Sequence, residues 1–438
     1  MRRAAFVMLY ERSNRYSAYS VIAAIESRLR DIDVIPITID RVHDVIERVR
    51  RVSDLYRRIV VGITFRTMQL PTVMNVVRLL KSYAPRVLLV AGGPHATGDP
   101  LGTLTKLGFD VVVYGEGEET IVELLQSYIE NDEYRVCGTA YLDGGRVIVR
   151  KRRRYVDLDK YPPYPSWRGW FCPIEIMRGC RSACYFCQVT YVFGAPRYRS
   201  PETVLRLVEE MLRKGLRDAR FIAPNSLGYM SSDGIKPRLD ILEQFLHDLR
   251  KLMDEYGGRI FFGTFPSEVR PDSVDEEVAK VLRRYVHNKR IIVGAQTGSD
   301  RLLKAIHRGH TVDDVINAVQ ILRNAGFEVD VDFIFGLPGE NEEDVELSVK
   351  VMERLASMGA RIHAHTFMPL PGTPFEDAPP GRIHPAIKKF VAKLIGRGRA
   401  YGEWLEQERL AELIHEMRMK RLIYGSKEKR MRITYVAC

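Results

Sequence analysis

Short apolar runs alternate with amphipathic segments along the first 130 or so residues of the chain. The apolar runs have the length of buried strands, and the segments between them repeat apolar positions every three to four residues, as helices do. Strands are predicted at residues 4–9, 34–37, 59–65, 87–91 and 110–114, and helices at 19–29, 70–83 and 118–130. Strands that alternate with helices form parallel sheets covered on both faces. The pattern predicts an α/β domain over residues 1–132, Rossmann-like and doubly wound with five strands, whose ligand lies beyond the carboxyl ends of the strands.

Residues 133–171 interrupt this alternation. Two alternating runs around Asp143, Gly144 and Gly145 predict a hairpin. The stretch 161–167 then packs prolines between aromatic residues, which blocks both a helix and a central strand. We therefore expect residues 133–171 to form a hairpin and a linker between two domains.

A second alternation of strands and helices follows over residues 172–375. Strands are predicted at 174–177, 219–223, 260–264, 291–295, 329–335 and 362–367, and helices at 201–214, 239–256, 274–285, 312–325 and 342–358. An eightfold barrel needs about 250 residues, so this shorter segment predicts a partial barrel of six βα units. Prolines near residues 370–380 end it, and residues 376–438 read as a helical, basic region.

Composition and charge place the chain among ordinary globular proteins. Of its 438 residues 45% are hydrophobic and 28% charged, and no run approaches the roughly 18 apolar residues of a membrane span. The short apolar stretch at the N-terminus does not resemble a signal peptide, so a cytoplasmic location is expected. The net charge is +11, and residues 381–438 hold 14 Lys and Arg against 6 Glu. This region, or the basic run 150–154, either meets a phosphate-bearing partner or is a solvated surface.

Three of the six cysteines, Cys180, Cys184 and Cys187, fall within eight residues directly after a predicted strand. Three thiolates on one tight loop suit a 4Fe-4S cluster that keeps its fourth iron open, since an electron-transfer cluster uses four cysteines. A zinc site is the competing interpretation, but zinc sites usually show a second Cys or His pair. The remaining cysteines, Cys137 and Cys438 included, are isolated in the sequence.

The Cys-x3-Cys-x2-Cys spacing, with an aromatic residue before the third cysteine, resembles the signature of the radical S-adenosylmethionine (SAM) family. Segments 221–226, 262–266, 294–300 and 333–340 are similar to the family's SAM-binding parts and come in the same order. Residues 294–311 are especially similar to the branch that holds the tRNA methylthiotransferases. The resemblance implies that Cys180, Cys184 and Cys187 hold a 4Fe-4S cluster whose open iron binds SAM.

The same resemblance implies contacts to each part of SAM. Asn225 and Ser226 take the place of the family's Gly-Gly-Glu motif at the methionine amino group, Gln296 and Ser299 lie at the ribose, and Gly336 and Gly339 lie at the adenine edge. His307 and His310 are expected to end a helix rather than to ligate a metal. Arg178 is expected either to pair with SAM or to offset the negative charge of the cluster.

The first domain is similar to the cobalamin-binding domains fused to one large branch of that family. Segments 61–65, 91–97 and 114–120 carry the resemblance, which implies the cobalamin contacts Thr64, Gly92, Gly93, His95, Thr97, Gly115 and Glu116. Residues 10–16 have no histidine where many cobalamin domains place an Asp-x-His-x-x-Gly loop. Two alternatives follow: the domain binds cobalamin without that ligand, or it no longer binds it.

The resemblance implies an enzyme that cleaves SAM reductively and transfers a methyl group, through cobalamin, to an unactivated carbon. An electron donor such as ferredoxin or flavodoxin is then required. The alternatives are a methylthiotransferase acting on tRNA or protein, and a nucleic-acid-binding protein with a structural cluster. A tRNA, a lipid precursor, a peptide and a small metabolite all stay open as substrates. Tyr401, Trp404 and Tyr424 either stack on bases or pack in the core.

Overall fold

The computed structural model describes residues 2–152 and 154–438, which leaves Arg153 of the basic run outside the described residues. The chain divides into two compact units. The N-terminal unit runs to Phe171 and includes Leu370–Asp377 and Glu416–Cys438. The barrel unit comprises Cys172–Pro369 and Ala378–His415. Each is described separately below.

The first part of the N-terminal unit alternates strands and helices, as predicted. Its strands are β1 Arg2–Tyr10, β2 Asp33–Thr38, β3 Tyr56–Thr64, β4 Leu88–Gly92, β5 Val111–Val113, β6 Thr139–Asp143 and β7 Arg146–Lys151. Its helices are α1 Arg15–Arg28, α2 Val42–Ser53, α3 Leu70–Tyr83, α4 Pro94–Gly98, α5 Pro100–Gly102 and α6 Glu118–Asn131.

The barrel unit continues the alternation. Its strands are β8 Ile174–Glu175, β9 Met177–Arg178, β10 Arg197–Tyr198, β11 Asp218–Ile222, β12 Arg259–Phe261, β13 Arg290–Gln296, β14 Glu328–Phe335, β15 Arg361–Thr366 and β16 Ala400–Tyr401. The helices are α7 Gln188–Phe193, α8 Pro201–Arg213, α9 Leu239–Glu255, α10 Glu276–Tyr285, α11 Asp300–Ala305, α12 Val312–Asn324, α13 Glu342–Ser357, α14 Pro385–Gly396 and α15 Trp404–Met419. The chain ends with α16 Ser426–Arg432 and β17 Ile433–Ala437.

One sheet organises the N-terminal unit, with the described strands in the order β17-β7-β6-β5-β4-β3-β1-β2. Strands β1 to β5 are parallel neighbours, which is the doubly wound order with its ligand edge at the carboxyl ends. One face is closed by α1 and α6, whose Ile22 and Leu124 pack in the same buried cluster as Phe6 of β1. A Cβ at Gly62 of β3 would meet the Phe6 ring at 2.5 Å, so this core needs glycine there.

The prediction of a five-stranded sheet followed by a linker was incomplete. Strands β6 and β7 form the expected hairpin, but β6 also pairs with β5 and so extends the sheet. The C-terminal region is mostly helical as predicted, yet its last residues form β17, which pairs with β7 in parallel register. The residues of β17, Ile-Thr-Tyr-Val-Ala, include the β-branched and aromatic types that favour strands. An open sheet edge three hundred residues earlier in the chain supplies their partner.

This strand also overturns the view of Cys137 and Cys438 as isolated. The two cysteines form a disulfide with their Cα atoms 5.9 Å apart. The backbone N–H of Cys438 donates to the carbonyl of Lys151 at 3.2 Å, which continues the pairing of β17 with β7. A sequence separation of 301 residues hides this pair from inspection of spacing.

Parallel strands also build the barrel unit. Strands β12, β11 and β8 form one parallel sheet, and β13, β14, β15 and β16 form a second. A parallel bridge between Val269 and Val293 joins a loop after β12 to β13. On β15 the alternate residues Ile362, Ala364 and Thr366 are buried, so His363 and His365 lie on the opposite face of the sheet. Among the described residues, no helix has both the length and the apolar character needed to cross a membrane.

Candidate cofactor sites

The three clustered cysteines lie on one loop between β9 and α7. Gly179 opens this loop at a φ of +83°, and a Cβ there would meet the carbonyl oxygen of Ala195 at 2.3 Å. The N–H of Cys180 donates to the carbonyl of Gly194 at 3.0 Å, and the N–H of Cys187 donates to the carbonyl of Cys184 at 3.0 Å. These backbone hydrogen bonds fix the loop, and the Cys187 thiol lies close enough to Cys184 and Cys180 to interact with them electrostatically.

Segments from the far part of the barrel unit hold this loop in place. The N–H of Tyr185 donates to the carbonyl of Ile306 at 3.1 Å. The ring of His307 stacks on that of Tyr185 with centroids 5.3 Å apart, and its Nδ1 lies 2.9 Å from the carbonyl oxygen of Ser182. Arg270 donates to the Ser182 hydroxyl at 2.8 Å. His307 thus positions the cysteine loop, a role that its expected place at a helix end did not include.

The Cys187 thiol needs a metal ligand partner to become a thiolate. Burial, followed by the neighbouring Cys184 and Cys180, raises the pKa of the Cys187 thiol to about 12. Metal ligation deprotonates such thiols and removes the mutual repulsion of the thiolates. The donor set therefore fits an iron–sulfur cluster, which would be held by Cys180, Cys184 and Cys187.

A buried arginine that the sequence did not single out lies beside these cysteines. Arg308 is only 6% exposed, and its Nη1 lies 3.6 Å from the Sγ of Cys184. Its Nη2 donates to the carbonyl of Gly294 at 3.0 Å and lies 3.6 Å from Glu268. A Cβ at Gly294 would meet this Nη2 at 2.5 Å, so glycine makes room for the guanidinium. The signal available in the sequence was that Arg308 is a third polar residue in the short segment that also contains His307 and His310.

Two further charged groups complete the surroundings. Burial raises the pKa of Glu268 to about 7, although Arg308 acts in the opposite direction. Arg178, considered for SAM or for the cluster, makes a two-pronged contact with Glu175, with Nε at 3.0 Å and Nη2 at 2.6 Å from the carboxylate oxygens. Arg308 is therefore a cation that the structure places against a cluster cysteine.

The predicted SAM residues differ in how much of their hydrogen-bonding capacity the chain itself uses. Asn225 donates to the carbonyl of Gly234 at 3.0 Å, and its Oδ1 accepts from the N–H of Arg270 at 3.1 Å. Ser226 is fully buried, and its Oγ has no hydrogen-bond partner among the described residues. An orphaned buried hydroxyl fits a ligand contact, so Ser226 suits a bound SAM better than Asn225 does.

The residues expected at the ribose both lie at the end of β13. Gln296 is buried and has a φ of +78°, a backbone conformation that residues other than glycine rarely adopt. Ser299 caps α11 by accepting from the N–H of Leu302 at 3.2 Å and donates to Asp344 at 2.6 Å. The strained backbone of Gln296 is a common feature of functional sites, whereas Ser299 is committed to the helix cap.

The two glycines expected at the adenine edge follow β14. A Cβ at Gly336 would meet the backbone nitrogen of Arg382 at 2.5 Å, so the chain itself occupies that side. Gly339 has a φ of +82° and nothing within 4 Å of a Cβ, which leaves its backbone approachable. Glu340 accepts from the N–H of Gly336 at 3.0 Å, and burial raises the pKa of Glu340 to about 7.

The predicted cobalamin residues lie at the carboxyl ends of β3, β4 and β5. Gly93 has a φ of +93°, and a Cβ there would meet the carbonyl oxygen of Phe65 at 2.8 Å and the Thr64 hydroxyl at 2.9 Å. Asn14, from the loop after β1, donates to the carbonyl of Thr64 at 2.7 Å. Asn14 was missed, because a lone buried amide in a polar loop leaves no pattern in the sequence.

His95 carries the clearest sign of a ligand in this region. Its side chain is fully buried, Nδ1 lies 3.0 Å from the Thr67 hydroxyl, and Nε2 has no partner among the described residues. Burial lowers the pKa of His95 to about 3, so the ring is neutral at physiological pH. A neutral ring with an unpaired nitrogen at the ligand edge of a doubly wound sheet fits a contact to cobalamin.

The remaining residues connect the strand ends. The Thr97 hydroxyl accepts from the N–H of Gly115 at 3.1 Å, and Glu116 accepts from the N–H of Val156 at 2.8 Å. Gly92 has nothing within 4 Å of a Cβ, so the space above β4 is open. The loops after β4 and β5 are thus tied together around an open strand end.

Comparison with known families supports both halves of this description. Residues 174–352 match the radical SAM superfamily, and residues 15–125 match the B12 binding domain. The first implies a 4Fe-4S cluster and SAM, and the second implies cobalamin, in place of the competing zinc site.

Relatives of similar sequence have archaeal and bacterial sources. An uncharacterized protein of Methanocaldococcus jannaschii is 27% identical over 336 residues, which are 67% of this chain and 65% of that protein. An uncharacterized methyltransferase of Pyrococcus horikoshii is 27% identical over 72% of this chain and 68% of its own. A tRNA-2-methylthio-N(6)-dimethylallyladenosine synthase of Alkalilimnicola ehrlichii is 28% identical over 55% of this chain and 53% of its own. The chain thus spans just under two thirds of the first relative's length.

Solved structures share the fold. The radical SAM methyltransferase TsrM from Kitasatospora setae, with cobalamin and a [4Fe-4S] cluster bound, has a TM-score of 0.63 at 17% identity over 88% of this chain and 80% of its own. The cobalamin-dependent SAM radical enzyme OxsB, with aqua-cobalamin bound, has a TM-score of 0.63 at 17% identity over 80% of this chain and 52% of its own. The chain therefore contains a radical SAM domain match over residues 174–352 and a B12-binding domain match over residues 15–125, and it shares the fold of TsrM and OxsB.

Proposed function

We propose that the chain is a cobalamin-dependent radical SAM methyltransferase that acts on an unactivated carbon. The observation that carries the proposal is the presence, in one chain, of a radical SAM domain with its three-cysteine loop and a B12-binding domain with the orphaned His95 nitrogen at its ligand edge. TsrM, described as a radical SAM methyltransferase with cobalamin and a [4Fe-4S] cluster, has the same overall fold.

The residues of the chain have distinct parts in this proposal. When bound, the cluster and SAM supply reductive cleavage, and cobalamin supplies methyl transfer. Cys180, Cys184 and Cys187 would hold the cluster, and Arg308 places a positive charge beside it. Ser226 and Gln296 would contact SAM, together with the open backbone at Gly339. The predicted roles of Asn225, Ser299 and Gly336 also remain proposals.

For cobalamin, His95 would make the main polar contact. Gly92 and Gly93 keep the end of β4 free of side chains, and Thr64, Thr97, Gly115 and Glu116 would form the rest of the pocket. An electron donor such as ferredoxin or flavodoxin, and therefore a cytoplasmic location, follow from the same proposal.

Formation of 5′-deoxyadenosine tests the radical half of the proposal. Anaerobically reconstituted protein with a strong reductant and SAM should form deoxyadenosine, and Cys184→Ala should not. Cys172→Ala is the matched control, because Cys172 lies outside the three-cysteine loop and should leave the activity intact. Equal activity in Cys184→Ala and in the unaltered protein would refute the assignment.

Formation of S-adenosylhomocysteine tests the methyl-transfer half. The reduced protein should produce it from SAM only when cobalamin has been supplied. Production that does not depend on cobalamin, or none with cobalamin bound, would contradict methyl transfer through that cofactor.

A methylthiotransferase is the second candidate, favoured by similarity to the tRNA-modifying enzyme described above. That class carries three further cysteines in its N-terminal domain for a second cluster. Here Cys137 is bonded to Cys438, and Cys172 is the remaining thiol before the loop. A reconstituted chain should therefore hold about four irons, whereas about eight would favour the second candidate.

A nucleic-acid-binding protein with a structural cluster is a third and weaker candidate. Trp404 and Tyr424 of the C-terminal region are buried, so their rings are not available to stack on nucleic-acid bases. Exposed basic residues such as Lys393, Arg397 and Arg399 still leave a phosphate-bearing partner open. Salt-sensitive RNA binding without SAM cleavage would favour this candidate.

A further inference from the structure

Three metal-ligating side chains converge on the face of the barrel sheet that His363 and His365 share. Asp332 of β14 and His363 of β15 are direct neighbours in the parallel register. Nδ1 of His363 lies 2.8 Å from Oδ1 of Asp332 and 3.1 Å from Nε2 of His365. Nε2 of His365 lies 3.9 Å from the same Asp332 oxygen. One oxygen and two nitrogens therefore surround a common point.

These separations match the spacing of donors around one metal ion. Ligand atoms about 2.1 Å from a metal, at angles of about 90° to 109°, lie about 3.0 to 3.4 Å apart. The three observed separations, 2.8, 3.1 and 3.9 Å, bracket that range. The side chains of His363 and His365 are 25% and 27% exposed, which leaves room for further ligands such as water.

Because the Nε2 donor of Gln407 faces Nδ1 of His365 at 3.3 Å, the proton of that ring lies on Nε2, and His363 cannot then satisfy both of its contacts. If Nδ1 of His363 carries a proton, it can donate to Asp332, but it then offers nothing to a second N–H. If it carries a lone pair, it accepts from His365, and the Asp332 carboxylate faces it without a proton between them. A cation at the common point replaces these protons and is attractive to all three atoms.

The environment of His365 is relevant to the strength of binding. The Oε1 of Gln407 accepts from the N–H of Thr366 at 2.8 Å, which orients its Nε2 towards Nδ1 of His365 at 3.3 Å. When Nε2 of His365 binds a metal, its Nδ1 carries a proton and prefers an acceptor. Gln407 presents a donor instead, at a distance beyond the usual hydrogen-bond range. Gln407 therefore weakens a bound metal without blocking it.

Packing fixes the orientation of His363. Its ring stacks on that of Tyr401 with centroids 4.4 Å apart and planes 11° from parallel. The Tyr401 hydroxyl donates to Asp330 at 2.8 Å, and Arg361 makes a two-pronged contact with the same carboxylate. Support of this kind holds a ligand in place before the metal arrives.

We propose that Asp332, His363 and His365 bind a divalent transition-metal ion of the zinc type, through ligands distinct from the three cluster cysteines. Three protein ligands with an open position are the arrangement of catalytic rather than structural zinc sites. The site goes beyond the proposed methyl transfer and does not depend on it, because none of its ligands belongs to the cysteine loop.

Zinc binding to the cluster-loaded protein tests this proposal. The reconstituted full chain, whose loop cysteines are occupied by iron, is dialysed against zinc and then analysed for metal content and by X-ray absorption at the zinc edge. We expect about one zinc per chain with nitrogen and oxygen ligands at about 2.0–2.1 Å. His363→Ala/His365→Ala should lose this zinc, and His247→Ala, a surface control, should keep it. Iron content and deoxyadenosine formation report separately on the cluster.

Gln407→Glu gives a test that does not depend on loss of a ligand. A carboxylate at this position accepts from both the Thr366 N–H and the protonated Nδ1 of His365, so zinc should bind about tenfold more tightly. Zinc that is retained equally by the double histidine variant, or zinc bound through sulfur at about 2.3 Å, would overturn the proposal. Unchanged affinity in Gln407→Glu would also overturn it.

Discussion

Replacing Arg308 with Met removes a positive charge beside the cysteine loop while preserving most of the side chain's length. The guanidinium is 6% exposed and lies 3.6 Å from the Sγ of Cys184. A reduced 4Fe-4S cluster carries one more negative charge than the oxidised form, so a neighbouring cation favours reduction. Arg308→Met should therefore lower the reduction potential of the cluster and slow the reductive cleavage of SAM.

The size of the effect follows from the distance. A unit charge 3.6 Å from the sulfur contributes about 4–5 kcal/mol at an effective dielectric constant of about 20. The added electron is shared over the whole cluster, so about half of this, about 2 kcal/mol, is a reasonable expectation. For a one-electron step it corresponds to a fall of about 80–90 mV in potential.

Glu268 makes the shift depend on pH. Burial raises the pKa of Glu268 above its usual value, so lowering the pH to 6 favours its protonated form and leaves Arg308 as a full positive charge. At pH 8 the unaltered protein has an ionised Glu268 opposite Arg308, and removal of the arginine raises the pKa of Glu268 so that it takes up a proton. At pH 8 the net charge of the Arg308 and Glu268 side chains together therefore changes little when Arg308 is replaced by Met. The fall in potential should be larger at pH 6 than at pH 8.

The assay is a redox titration of the reconstituted cluster followed by electron paramagnetic resonance, with iron content measured on the same samples. Arg308→Lys keeps the charge and should stay close to the unaltered potential. Arg213→Met is the matched control, because Arg213 is exposed on α8 and contacts Glu209 and Tyr256 rather than the cysteine loop. An unchanged potential in Arg308→Met, with the four irons retained, would refute this reasoning.

Three further predictions concern the N-terminal unit. Cys438→Ser should lower the free energy of unfolding by about 2–5 kcal/mol in urea titrations without reductant, because the disulfide closes a long loop. Cys172→Ser, the control, should leave the free energy of unfolding unchanged. Equal stability of the two variants would contradict a stabilising role for the disulfide. His95→Leu should weaken cobalamin binding about five- to thirtyfold in absorbance titrations, through loss of a polar contact worth about 1–2 kcal/mol, whereas the surface variant His43→Leu should bind normally. The pKa of Asp99 is raised to about 6 by burial, so the folded state binds more protons than the unfolded state between about pH 4 and 6, and stability should fall as pH rises through that window. Asp99→Asn should abolish this slope in unfolding experiments, and a slope that persists would assign it to another group.

Much of the fold was predictable because the core strands are continuous apolar runs. Predicted strand 329–335 and helix 342–358 differ by one residue from β14 and α13. Strand β17 was missed because its partner β7 is far away in sequence and its neighbours are basic, helix-favouring residues. Non-local pairing of a short strand leaves little trace in a local pattern.

The cysteine loop of the candidate sites was predictable from the sequence, whereas several polar residues around the sites were not. The three cysteines are recognisable because a tight spacing is itself the chemical signal. Arg308 and Asn14 were missed because polar residues in a sequence resemble surface positions, and only the fold shows that they are buried. The residues His363 and His365 did carry a signal, since two histidines separated by one residue on a strand face the same side.

Cobalt and iron content test the central claim most directly. Protein purified and reconstituted without oxygen, supplied with hydroxocobalamin and then desalted, should contain about one cobalt and about four irons per chain. That result would support a single cluster and a functional cobalamin domain in the same chain. Four irons without cobalt would contradict cobalamin-dependent methyl transfer and leave a radical SAM enzyme whose first domain binds something else.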